Sequence, residues 1–125
     1  MTKGAAFLLV MLIEGLTAAV LGAWLHRKLG FTRFGAGLRA GAAAIIATGA
    51  THPLQWMLLP ALLAEVGIRW QAMAILEVAA VLVQTLFYTA VLRGHWRWSF
   101  ALSIVVNAIG LVAGYGFSGA IATGS

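Results

Sequence analysis

The chain has 125 residues, 62% of them hydrophobic and 9% charged, with a formal net charge of +5. A soluble domain carries about a quarter charged residues, so this composition excludes one and marks an integral membrane protein, with room for about four spans of ~20 residues. There is no cysteine, which removes disulfides, thiolate metal sites and cysteine-based catalysis. The basic pI reads as loops that set topology and touch anionic lipid headgroups, with no nucleic-acid partner expected.

The first apolar stretch, Ala5–Leu25, contains a single charge, Glu14. It is longer than a signal-peptide core and runs into Arg27 and Lys28 without a clean cleavage site, so it is expected to be a retained span. The second, Ala40–Leu63, has no formal charge but holds His52 and both prolines, Pro53 and Pro60. Pro53 removes an N–H and crowds the Gly49 carbonyl. Span 2 is therefore expected to be a kinked but continuous helix. The alternative is a span that ends near His52, with Leu54–Leu63 lying along the outer interface. The third stretch, Trp70–Leu92, contains Glu77, and the fourth, Trp98–Ala122, contains no charge. Continuous Ala- and Leu-rich runs of this length are helical spans and do not have the alternation of a membrane β-barrel. The fold class expected is an all-α, compact four-span membrane bundle forming one domain, residues 1–125. Halves 1–66 and 67–125 each pair two spans around a basic loop, in the same orientation.

Six of the eight Lys and Arg residues lie in the segments 26–39 and 93–97. Lys3 and Arg69 fall at the opposite end. The positive-inside rule puts both basic loops in the cytoplasm and both termini outside, in an inner (plasma) membrane. Trp96 and Trp98 beside arginine have the character of interfacial anchors.

Polar residues within the spans are the functional candidates. Counted from the outer side at ~1.5 Å per residue, Glu14 lies about 14 Å deep, His52 about 16 Å and Glu77 about 10 Å, while Asn107 is about 14 Å from the inner end. Gln84 lies two turns beyond Glu77. Thr48, Thr51, His52 and Gln55 form one helical stripe. Glu77, Ala80, Val81 and Gln84 form a second, and Ser103, Asn107, Gly110 and Gly114 a third, rich in small residues that permit close packing. Glu14 and Thr17 share a face of span 1. The expected bundle turns these stripes inward, so that His52 meets Glu14 and Glu77.

Intramembrane carboxylates are costly and mark function. Glu14 and Glu77 with His52 could pass protons, or hold a divalent cation with an open position, though no cofactor is strongly implied. A Glu beside a His could also activate water. The plainer reading is that Glu14, Thr51, His52, Glu77, Gln84 and Asn107 hold helices in register. No zinc-protease, nucleophile-elbow or phosphate-loop motif is present.

Size, span number and a mid-membrane Glu14 resemble the small multidrug resistance transporters. Those proteins have no second membrane glutamate corresponding to Glu77 and no Thr51–His52–Pro53. The whole pattern is more similar to small bacterial four-span proteins of unknown activity, a resemblance that carries over no functional residue. The functional expectation is ion, proton or small-solute handling. The alternatives are a non-enzymatic subunit that binds a partner helix or cofactor, and an intramembrane hydrolase. A homo-oligomer or a partner membrane subunit fits any of the three.

Overall fold

The computed structural model describes residues 2–124, and the side-chain surroundings of residues 2–114 and 116. Among these residues the chain is helical throughout, with α1 (Lys3–Trp24), α2 (His26–Leu29), α3 (Arg33–Val66), α4 (Arg69–Val91) and α5 (Trp96–Gly124). Local chemistry sets the boundaries. The hydroxyls of Thr2 and Thr32 accept the N–H groups of Ala5 and Gly35, at 3.1 and 3.0 Å, and so cap α1 and α3. Gly67, at φ 78°, ends α3 and donates its N–H to the Leu63 carbonyl. That left-handed conformation is one glycine adopts without penalty.

The four long helices pack as an antiparallel square. α3 and α5 each touch both α1 and α4, so α1 faces α4 across one diagonal. The α1–α3 seam is the most extensive, because small residues let the backbones approach. A Cβ on Gly22 would lie 2.6 Å from the Ala40 Cβ and 2.9 Å from the Ala36 carbonyl oxygen, and one on Gly37 would lie 3.0 Å from the Ala19 carbonyl oxygen. Ala18, Ala36, Ala40, Ala44 and Ala47 are fully buried along the same seam.

The outside is apolar. Leu8, Leu12, Leu16 and Val20 form an exposed stripe on α1, and Val78, Leu82 and Leu86 one on α4. Such a jacket suits hydrocarbon and is unusual on a protein facing water. α1, α4 and α5 as far as Gly114 are each long and apolar enough to cross a membrane. α3 is the longest helix, at 34 residues, yet it is not among these three. Alanine and glycine dominate its first half, and Thr51, His52 and Gln55 dilute its second.

Three boundaries differ from expectation. α3 begins at Arg33 instead of Ala40, so the second half of the expected first basic loop belongs to α3, and α2 takes up its first four residues. α3 ends at Val66 instead of Leu63, while its passage through Pro53 and Pro60 is the continuous course expected of span 2 and leaves no separate interfacial segment at 54–63. α5 begins at Trp96, two residues early. The side-chain surroundings of Ala122, the expected end of span 4, lie outside the described residues.

Candidate functional site, a one-sided polar cleft

A cleft of about 590 Å³ runs inward from the end of the bundle that carries Lys3 and Arg69. All four long helices line it. α1 contributes Ala6, Phe7, Val10 and Glu14, and α3 contributes His52, Gln55, Trp56, Leu59 and Pro60. α4 contributes Arg69, Met73, Leu76 and Glu77, and α5 contributes Asn107, Gly110, Leu111 and Gly114. From Lys3 to Glu14 the path along α1 is about 16 Å at ~1.5 Å per residue, so the cleft reaches mid-helix depth.

Glu14 forms part of the inner end. It is 2% exposed, and one carboxylate oxygen accepts the Thr48 hydroxyl. The other lies where a side chain at position 110 would begin, so the glycine there houses the carboxylate. Glu77 stands closer to the mouth, where the Gln55 side-chain amide donates to it at 3.4 Å and to the Leu76 carbonyl at 3.2 Å.

His52 lines the same cleft but meets neither carboxylate through a hydrogen bond. Its ring packs edge-on to Phe7, with centroids 5.6 Å apart and planes at 77°, and Trp56 lies 5.7 Å from the same Phe7 ring. His52 Nδ1 is buried without a hydrogen-bond partner. The expected Glu14–His52–Glu77 contact is thus replaced by three separate arrangements. Thr48, one turn before His52, reaches Glu14. Gln55, one turn after it, reaches Glu77. The imidazole between them turns to the aromatic pair. Among the described residues no three His, Asp or Glu side chains gather closely enough to hold a metal ion. The candidate set Glu14, His52 and Glu77 therefore lines a cavity without forming a metal centre.

The remaining candidates form a hydrogen-bonded ladder that meets the inner end of the cleft at Asn107. Thr51 donates its hydroxyl to the Ala47 carbonyl at 2.9 Å and accepts the Gln84 amide at 3.0 Å. Gln84 Oε1 accepts from Asn107 Nδ2 at 2.5 Å, and Asn107 Nδ2 also donates to the Ser103 carbonyl at 2.7 Å. The Ser103 hydroxyl donates to the Val81 carbonyl at 2.9 Å. Thr51, Gln84, Ser103 and Asn107 are all buried, so the ladder ties α3, α4 and α5 together at one level. On its far side Ala18, Ala43, Ala44, Tyr88, Leu92, Leu102 and Val106 pack into a closed core.

Phe7, Trp56, Thr48, Gln55 and Gly110 belong to the site but were not among the expected site residues. Their signal was spacing. Phe7, Val10 and Glu14 share a face of α1, and Thr48 and Gln55 lie on the His52 stripe. Gly110 was visible as a packing residue, but its role in making room for a carboxylate required the neighbouring helix.

No protein-family model, no curated protein and no solved structure matches this chain.

Proposed function

We propose that the chain is a four-span protein of the plasma (inner) membrane that takes up a small solute or cation from the outer side and handles it with a proton or charge exchange at Glu14. The observation that carries this reading is the one-sided cleft that reaches a buried carboxylate. Its volume lies in the range of small-molecule sites, about 300–1,000 Å³, and exceeds what a bare ion needs. In this reading Glu14 and Glu77 accept the proton or the cationic group, Asn107 orients the ligand, and His52 with Phe7 and Trp56 supplies an aromatic wall. The Ala- and Gly-rich α3 crosses as the fourth span, shielded by α1 and α4. The basic end faces the cytoplasm and its anionic headgroups.

Two features favour transport over the alternatives. The polar stripes face inward, whereas a subunit binding a partner helix would present them outward. His52 has no carboxylate hydrogen bond of the kind a Glu–His hydrolase uses to activate water.

Labelling and flux test the reading in this cysteine-free chain. In sealed proteoliposomes a membrane-impermeant maleimide should label Val10→Cys from the Lys3 side only, and Val106→Cys from neither side. Addition of small amines, inorganic cations and neutral solutes to that side should move protons out of a dye-loaded lumen for at least one compound. The response should vanish in Glu14→Gln. Equal labelling of both positions, or proton movement unaffected by Glu14→Gln, would overturn the proposal.

A further inference from the structure

The end of the bundle opposite the cleft carries charge without compensation. Arg27, Lys28, Arg33, Arg39, Arg93 and Arg97 are here, whereas the chain has no aspartate and its glutamates are at 14, 65 and 77. Two of these arginines converge on one ring. The Arg39 guanidinium carbon lies 4.6 Å from the centroid of Phe31, and that of Arg93 lies 5.0 Å from it. Cation–π contact with a single ring offsets little of the repulsion between two guanidiniums.

The arrangement is built, not incidental. Phe31 is half-buried against the core, its N–H donates to the His26 carbonyl at 3.1 Å, and its own carbonyl is 3.2 Å from His26 Nδ1. Arg39 is anchored by one donor, Nη1, on the Val91 carbonyl at 3.1 Å. Arg93 has φ 57°, the one non-glycine residue with positive φ among the described residues, although Gly94 directly follows it at φ 83°. Arg93 holds the left-handed position that closes α4, where the Gly94 N–H donates to the Thr89 carbonyl at 2.9 Å, and from there its guanidinium lies over Phe31. The Val91 carbonyl takes one N–H of Arg39, and each guanidinium has further N–H groups in a planar fork that matches phosphate oxygens. Beside Arg39 on α3 the exposed Phe34 and Leu38, one turn apart, offer an apolar strip.

We propose that Arg39 and Arg93, carried on Phe31, bind the phosphate of an anionic phospholipid in the leaflet at the basic end. The apolar strip, suited to acyl chains, favours a lipid over free phosphate. The inference rests on the membrane reading alone and is independent of what the cleft carries.

The full-length protein in neutral detergent, titrated with short-chain phosphatidylglycerol, the matching phosphatidylcholine and inorganic phosphate, tests it through thermal unfolding. Phosphatidylglycerol should raise the melting temperature saturably, and the other two should not at equal concentration. Arg39→Lys and Arg93→Lys keep the charge but lose the fork, and should weaken the apparent affinity about tenfold. Removing two charges elsewhere at this end, with Arg27→Gln and Arg33→Gln together, should weaken it by less than about threefold. Arg93→Gly suits the left-handed backbone. It should melt no lower than the parent without lipid and lose the phosphatidylglycerol response. The proposal is overturned by an equal response to inorganic phosphate, by lysine variants that bind like the parent, by an Arg27/Arg33 pair as damaging as either lysine variant, or by no response to phosphatidylglycerol.

Discussion

A methyl group at position 110 would run into the Glu14 carboxylate, whereas one at position 114 would meet nothing within 4 Å. Gly110→Ala should therefore destabilise the protein by about 1–3 kcal/mol, the usual cost of overpacking. Gly114→Ala should be neutral or mildly stabilising, and thermal unfolding of the two variants side by side separates the cases. The same carboxylate accepts the Thr48 hydroxyl, so Glu14→Gln and Thr48→Val should be coupled by ~0.5–3 kcal/mol in a double-mutant cycle, more strongly than Glu14→Gln with Glu77→Gln. At this scale the sequence revealed depth and face but not partners. Helical spacing placed one polar residue per span near a common layer and put Thr48, Thr51, His52 and Gln55 on one stripe. Which of the four would reach which carboxylate depends on the rotation and offset of α1 and α4 against α3, and no single-helix periodicity contains that. His52 was expected among the glutamates because it is the ionisable member of the stripe. The structure gives it to Phe7 and Trp56, whose own positions looked like ordinary apolar spacing.

At the level of elements, α1 and α3 form a tight pair. Gly22→Ala and Gly37→Ala place a Cβ against Ala40 and Ala36, and against the Ala19 carbonyl, respectively. Each should cost about 1–3 kcal/mol, while Gly4→Ala, with nothing within 4 Å, should leave the melting temperature unchanged. The course of α3 past Pro53 can be read by cysteine scanning. Leu54, Met57 and Leu58 are exposed apolar residues on a continuous helix. As single cysteines in a bilayer they should resist aqueous thiol reagents, and strong labelling of all three would place this segment outside the membrane. The apolar runs announced α1, α4 and α5 to within about two residues at their starts, an error typical of helix ends. The start of α3 was hidden because Arg33 and Arg39 read as loop. Its actual signal was Thr32, a capping hydroxyl three residues before Gly35.

For the whole molecule, charge asymmetry is the strongest determinant. Six Lys and Arg residues at one end against two at the other should place reporters fused near Arg33 or Gly94 in the cytoplasm and a reporter after Ser125 outside. The reverse pattern would invert the direction assigned to the cleft. All-helical class and membrane-crossing character were legible from the long uninterrupted apolar runs, which lack the alternation of a membrane β-barrel. The asymmetry of the interior was not. It arises because bulky Tyr88, Leu92 and Leu102 fill one half of the bundle, while Gly110 and Gly114 leave space in the other.

The Thr51–Gln84–Asn107–Ser103 ladder has an electrical consequence. Its central rungs are carboxamides, whose N–H groups donate and whose oxygens accept. Relaying a proton through them would require the unfavourable imidic-acid tautomer at each rung. A row of carboxylates or waters would conduct there, whereas this row insulates. Under the proposed reading, charge delivered to Glu14 would face the mouth it entered by, and passage toward the basic side would call for a movement of α1 against the three helices that the ladder joins.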